Sequence, residues 1–86
     1  MNLEWRDRMF HYSICNIADE SVFQKQCKAL EKFVPQIRKE ELLHDVDGSL
    51  TQLYSADGKV ISVHNSKYID SVYVDSEIEL KQYFKK

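Results

Sequence analysis

The sequence predicts an α+β domain in which an antiparallel β-meander packs on one main helix, in the order β-α-β-β-β-β-α. One stretch, "ADESVFQKQCKALEKFVPQIRKE", places Phe23, Cys27, Leu30, Val34 and Ile37 at the four-three spacing of a single helical face. Beyond Leu42 the apolar period changes to that of strands. Both glycines of the chain fall there, each after an aspartate, as Asp47-Gly48 and Asp57-Gly58. Asp-Gly between alternating apolar runs is a hairpin signal, because a tight type I′ turn needs positive φ at both central residues.

The first strand is expected over residues 8–16, where Phe10, Tyr12 and Ile14 alternate with Met9, His11, Ser13 and Cys15. Asp19 is a candidate N-cap for the main helix, with Ser21 and Gln24 as an alternative capping box, and the acids Asp19 and Glu20 suit the positive end of the helix dipole. Pro35 removes a backbone donor and clashes with the preceding turn, so the helix should end or kink near Val34, with a short resumption through Glu41 left open. Three meander strands follow near residues 41–46, 49–55 and 59–65, and "KYIDSVYVDS" reads as a fifth strand over 67–75. Ser76 with Glu79 forms a capping box before a last short helix that carries Leu80, Tyr83 and Phe84 on one side.

The composition supports order throughout: 43% of residues are apolar, and there are two Gly and one Pro in 86 residues. A chain of this length is expected to form a single domain, 1–86, that buries only about 60–65% of its unfolded surface. The opening "MNLEWRDRMF" lacks the apolar run of a secretory signal and no segment is suited to span a membrane, so a cytoplasmic location is expected. Cys15 and Cys27 have no metal-ligand spacing and read as reduced, buried thiols.

With a formal charge of −2 the chain has no global attraction for nucleic acid or an anionic membrane. The charge is unevenly placed, however. Residues 45–79 hold Lys59 and Lys67 against Asp45, Asp47, Asp57, Asp70, Asp75, Glu77 and Glu79, a local balance of −5. Tyr54, Tyr68 and Tyr73 lie in this acidic half, which is the wrong sign for stacking on a phosphate-bearing strand.

The hexapeptide "DVDGSL", Asp45 to Leu50, resembles the first motif of haloacid-dehalogenase-like phosphatases. That resemblance implies Asp45 as nucleophile and Asp47 as acid/base, with further residues binding phosphate and magnesium. The surroundings point to a turn instead: "KEELLH" is not a buried parallel strand, and a second Asp-Gly follows ten residues later. An EF-hand loop does not fit either, since Gly48 comes too early and Ala56 occupies the twelfth position. If both hairpins have two-residue turns, His44, Thr51 and His64 form one row across the sheet, without an evident third metal ligand. The same register gives the helix-facing side Leu43, Leu50, Tyr54, Ile61 and Val63, and leaves Leu42, Leu53 and Val60 on the His-bearing side.

These features predict a protein-binding domain without cofactor or enzymatic activity, of the inhibitor or immunity type. It would neutralise a basic, nuclease-like toxin or effector through an acidic surface made by Tyr68, Asp70, Tyr73, Asp75, Glu77 and Glu79. The strand 67–75 is also a candidate sheet edge for homodimer pairing. The alternative is a small metal-dependent phosphoryl-transfer enzyme built on Asp45 and Asp47.

Overall fold

A computed structural model describes residues 9–84. The reading of the first eight residues, including the absence of a signal and the start of the strand expected over 8–16, lies outside these. The elements are β1 (Phe10–Cys15), α1 (Glu20–Phe33), β2 (Arg38–His44), β3 (Leu50–Ala56), β4 (Lys59–Ser66), β5 (Ser71–Ser76) and a four-residue α2 (Lys81–Phe84). The five strands form one antiparallel sheet in the order β1-β5-β4-β3-β2. The predicted α+β architecture, a meander with one main helix, is therefore present. The meander runs β2 to β5, and β1 closes onto its last strand, so β5 is interior and the edges are β1 and β2.

Since β1 and β2 lie at opposite edges, the chain between them must cross the whole sheet. A helix of 14 residues is about 21 Å long, close to the roughly 19 Å spanned by four inter-strand spacings. Asp19 starts it as predicted: its backbone is extended, and its Oδ1 accepts hydrogen bonds from the Ser21 and Val22 amides and from the Ser21 hydroxyl. These bonds, the Ser21 hydroxyl first, hold the Asp19 carboxyl below its usual value of 3.8. The Asp19 amide is itself taken by Asn65 Oδ1 at 3.0 Å, which pins the helix start to β4. Val34, extended at the C-cap before Pro35, ends the helix.

The predicted stripe is the core seam. Phe23, Cys27, Leu30 and Val34 are buried against Tyr54, Ala56, Ile61, Val63, Val72 and Val74, with Ile37 at the margin. Leu80 is fully buried in the same core, and Ile78 and Tyr83 pack against it. Two of the polar side chains on this face, Gln52 and Tyr54, are hydrogen-bonded, as burial demands, whereas Gln26 Nε2 on α1 is buried without a partner. Gln52 Nε2 donates to the carbonyls of Glu40, Glu41 and Leu53, filling the bulge where β2 shifts register between Lys39 and Leu42. The Tyr54 hydroxyl donates to Glu31 Oε2 on α1.

Three expectations need correction. The strand expected over 41–46 is β2 at Arg38–His44, so residues 38–41, whose state the sequence left open, are strand; β2 is an edge strand exposed along its whole length, and it carries no buried apolar set to announce it. Ser76 does not cap a helix. It is buried at the end of β5, its hydroxyl donates to the Ile78 carbonyl and accepts from the Ile78 amide, and α2 begins only at Lys81. The third correction concerns the turns. Asp57-Gly58 is a two-residue hairpin between paired Ala56 and Lys59, with φ of 55° and 75°, as a type I′ turn requires. At the first Asp-Gly, by contrast, the Gly48 amide donates to the Asp45 carbonyl, the Asp45 amide donates to the Ser49 carbonyl, and only Gly48 has positive φ, at 91°. This is a three-residue connection, a type I turn followed by a left-handed glycine.

One extra residue reverses the facing of β2, because a register slip by one moves every side chain across the sheet. His44 pairs with Leu50, and Leu43 pairs with Thr51. The cross-sheet row is therefore Leu43-Thr51-His64, and His44 has left it. Leu43 moves to the side away from the helix, and Leu42 moves to the helix side.

Candidate partner-binding face

Side chains that alternate away from α1 make the second sheet face: His11 and Ser13 on β1, Tyr73 and Asp75 on β5, Ser62 and His64 on β4, Thr51 and Leu53 on β3, and Leu43 on β2. Among the described residues no helix covers this face, because the segment after β5 returns to the α1 side, where the Leu80 amide donates to the Tyr12 hydroxyl at 2.7 Å.

A polar cluster occupies the centre. His11 Nδ1 lies 2.7 Å from Asp75 Oδ1, and His64 Nε2 lies 3.8 Å from Asp75 Oδ2. The Ser62 hydroxyl is 2.8 Å from His64 Nε2, and the Thr51 hydroxyl is 3.2 Å from His64 Nδ1. The Tyr73 ring stacks on the His64 ring at 4.5 Å between centroids and 10° between planes, with the His11 ring 5.2 Å away on a tilt. Burial pushes the His64 pKa below its usual 6.5, against the opposing pull of Asp75. Burial likewise raises that of Tyr73.

Ser62 with His64 invites comparison with a nucleophile and its base. A Ser-His-Asp triad needs a carboxylate on the imidazole nitrogen remote from the serine. Here that nitrogen meets Thr51, while the nearest carboxylate shares the side of Ser62 and is engaged by His11. Ser62 is also 8% exposed in mid-strand. The cluster orients rings and fixes a carboxylate. It does not present an activated hydroxyl.

At one end of this face lies a cleft of about 170 Å3. It is lined by Asp45, Asp47, Thr51, His64, Tyr68 and Tyr73, together with Ser49, Leu50 and Ser66. Asp45 and Asp47 stand on the turn between antiparallel β2 and β3, where Asp45 Oδ1 accepts from the Val46 amide and Asp47 Oδ1 accepts from the Ser49 amide. The Ser49 amide is the main reason the Asp47 carboxyl is held below 3.8, and it is therefore ionised at neutral pH. This turn context is not the strand end that the phosphatase resemblance implies. Among the described residues no group of three or more His, Cys, Asp or Glu side chains is placed to hold a metal ion. Among them, too, no helix is long and apolar enough to cross a membrane.

The six residues assigned to partner binding are strung along β5 and its two ends. Tyr68 is at the cleft and 88% exposed. Asp70 is at the same end but is engaged by the connection before α1, where its Oδ1 accepts from the Ala18 amide. Tyr73 and Asp75 are on the open face, within the histidine cluster. Glu77 and Glu79 lie beyond the other end of β5, and Glu77 Oε1 accepts from the Val60 amide at the start of β4. The strand of six residues that separates the two ends spans about 17 Å. β5 is also not an edge, so the predicted edge pairing through residues 67–75 is unavailable; the edges are β1 and β2.

Sequence reasoning missed Val46 and Ile69. Both are apolar residues in turns at the cleft end, and both are exposed, Val46 fully. An apolar residue in an otherwise polar turn was the available signal. No protein-family model, curated protein or solved structure matches the chain.

Proposed function

We propose that this is a protein-binding domain of the inhibitor or immunity type, which docks the cleft end of its open sheet face on a basic, nuclease-like toxin or effector. The observation that carries the reading is the company kept at that end: exposed Tyr68 shares the cleft with Asp45 and Asp47, Val46 lies exposed between those two aspartates in the chain, and Ile69 is exposed in the turn that carries Tyr68. Exposed apolar and tyrosine side chains give anchor area that loses water on binding, and flanking carboxylates speed and select association with a cationic surface. The binding residues thus shift from the acidic tail of β5 to the turns at its start, with Tyr68 and Tyr73 retained. Neutralisation follows from cover, since a protein seated on a nuclease's cationic groove keeps nucleic acid out.

The test is co-purification on the tagged full chain at low and high salt, in parallel with a Tyr68→Ala, Val46→Ser variant. The reading requires a basic protein in near-stoichiometric amount, released as salt rises, lost from the variant, and inhibited in its own activity by the purified wild-type chain. A partner held equally by the variant, or one whose activity is untouched, overturns it.

A further inference from the structure

We propose that the cleft at the end of the open face is the seat of one arginine side chain of the partner. The inference rests on the docking reading above and names the chemical group that would anchor it. The cleft, at about 170 Å3, is smaller than the roughly 300–1,000 Å3 of small-molecule pockets, and fits a single side chain better than a cofactor.

Its walls set the chemistry of that side chain. Asp45 and Asp47 each use Oδ1 to accept a backbone amide within their own turn, and both residues line the cleft. Two carboxylates held by one rigid turn suit a planar guanidinium, whose donors form a fixed fork, better than the point charge of an ammonium. Tyr68 and Tyr73 supply aromatic surface. Tyr73 is stacked on one side by His64, so Tyr68 is the ring free to lie against a cation.

The charges that face the cleft decide between a cation and an anion. His64 is kept neutral at pH 7 by burial and adds no positive charge. The opposing charge is Lys67, whose Nζ lies over Gly48, 3.2 Å from where a Cβ would stand, and which acts weakly on Asp47. Two carboxylates against one amine leave the cleft negative, with Lys67 as the group a guanidinium must displace or share.

Titration of the 15N-labelled full chain with N-acetyl-arginine amide, followed by amide shifts, tests this directly, with the lysine and glutamine analogues as comparison. The expected result is a saturable response confined to residues 45–51, 64–68 and 73, stronger for the arginine probe than for lysine and absent for glutamine. Tyr68→Ala should weaken it by about two- to fivefold. Asp45→Asn should weaken it too, while Lys67→Gln should strengthen it. A response spread over Glu77, Glu79 and the other acids, equal for arginine and lysine, or indifferent to Tyr68 overturns the arginine seat. If the probe fails while partner capture still depends on Tyr68 and Val46, the seat is wrong and the docking reading stands. If the probe binds as expected and no partner is captured, the guanidinium site stands and the inhibitor reading falls.

Discussion

His64 sits where three strands bring two hydroxyls, an aromatic ring and a carboxylate around one imidazole. The titratable groups that face it are Asp75 and Tyr73 from β5 and His11 from β1, with Asp45 and Asp47 across the cleft. Burial outweighs Asp75, so the folded-state pKa lies below the 6.5 of an unfolded histidine. As pH falls, the unfolded chain takes up this proton first. Stability is therefore unpenalised above 6.5, declines as pH drops below that value, and stops declining once the folded form protonates as well. Urea midpoints at about pH 7.5 and about pH 5.5 should show a decline that is smaller in His64→Gln than in the wild type. Equal declines would assign the pH dependence to other groups.

At the level of elements, the two Asp-Gly turns make a controlled comparison. Gly58 has positive φ and nothing within 4 Å of a built Cβ, so Gly58→Ala meets backbone strain alone. A cost of about 1–2 kcal/mol is expected, read as a lower denaturant midpoint with unchanged slope. At Gly48 a built Cβ would also stand 3.2 Å from Nζ of the flexible Lys67 side chain. The turn at Gly48 also determines more than its own conformation, because its extra residue sets which side of the sheet Leu42 and Leu43 occupy and removes His44 from the row with Thr51 and His64. A cost at Gly58 no larger than that of an exposed surface substitution would show that the left-handed backbone is relaxed there.

Across the whole molecule, the C-terminal segment is what closes the helix side of the core. Leu80 is fully buried, its amide is held by Tyr12 of β1, and Ser76 is engaged with Ile78, so residues 76–80 tie β5 and β1 together under α1. The four-residue α2 has too few turns to be stable by itself and depends on this anchorage. Leu80→Ala should cost about 2–5 kcal/mol, a large part of the stability of so small a domain, and lower the melting temperature markedly. Retention of the wild-type midpoint would mean that the segment is docked by its backbone contacts alone. The open face should be insensitive to Leu80→Ala so long as the chain remains folded, since the two sides share only the sheet.

Local rules were enough for the sequence to determine α1, its Asp19 cap, its buried stripe, its stop before Pro35 and the type I′ turn at Asp57-Gly58. Each depends on residues within a turn or two of one another, where side-chain spacing and φ preferences act directly. Strands β3 and β4 were legible for the same reason, and so was the body of β5, although the strand expected over 67–75 begins only at Ser71, after a turn at residues 67–70. Only the tertiary structure decided that β1 pairs with β5, because that contact joins residues 57 to 66 positions apart, from Cys15 with Val72 to Phe10 with Ser76, and no local preference selects it. It also decided the fate of β2, whose exposed edge carries no alternation, and whose register follows from one extra residue in a turn. The candidate site belongs to this second kind. Asp45, Asp47, His64, Tyr68 and Tyr73 are ordinary turn and strand residues in the sequence, and they become one cleft because strand pairing brings the ends of β2, β3, β4 and β5 to the same side of the sheet.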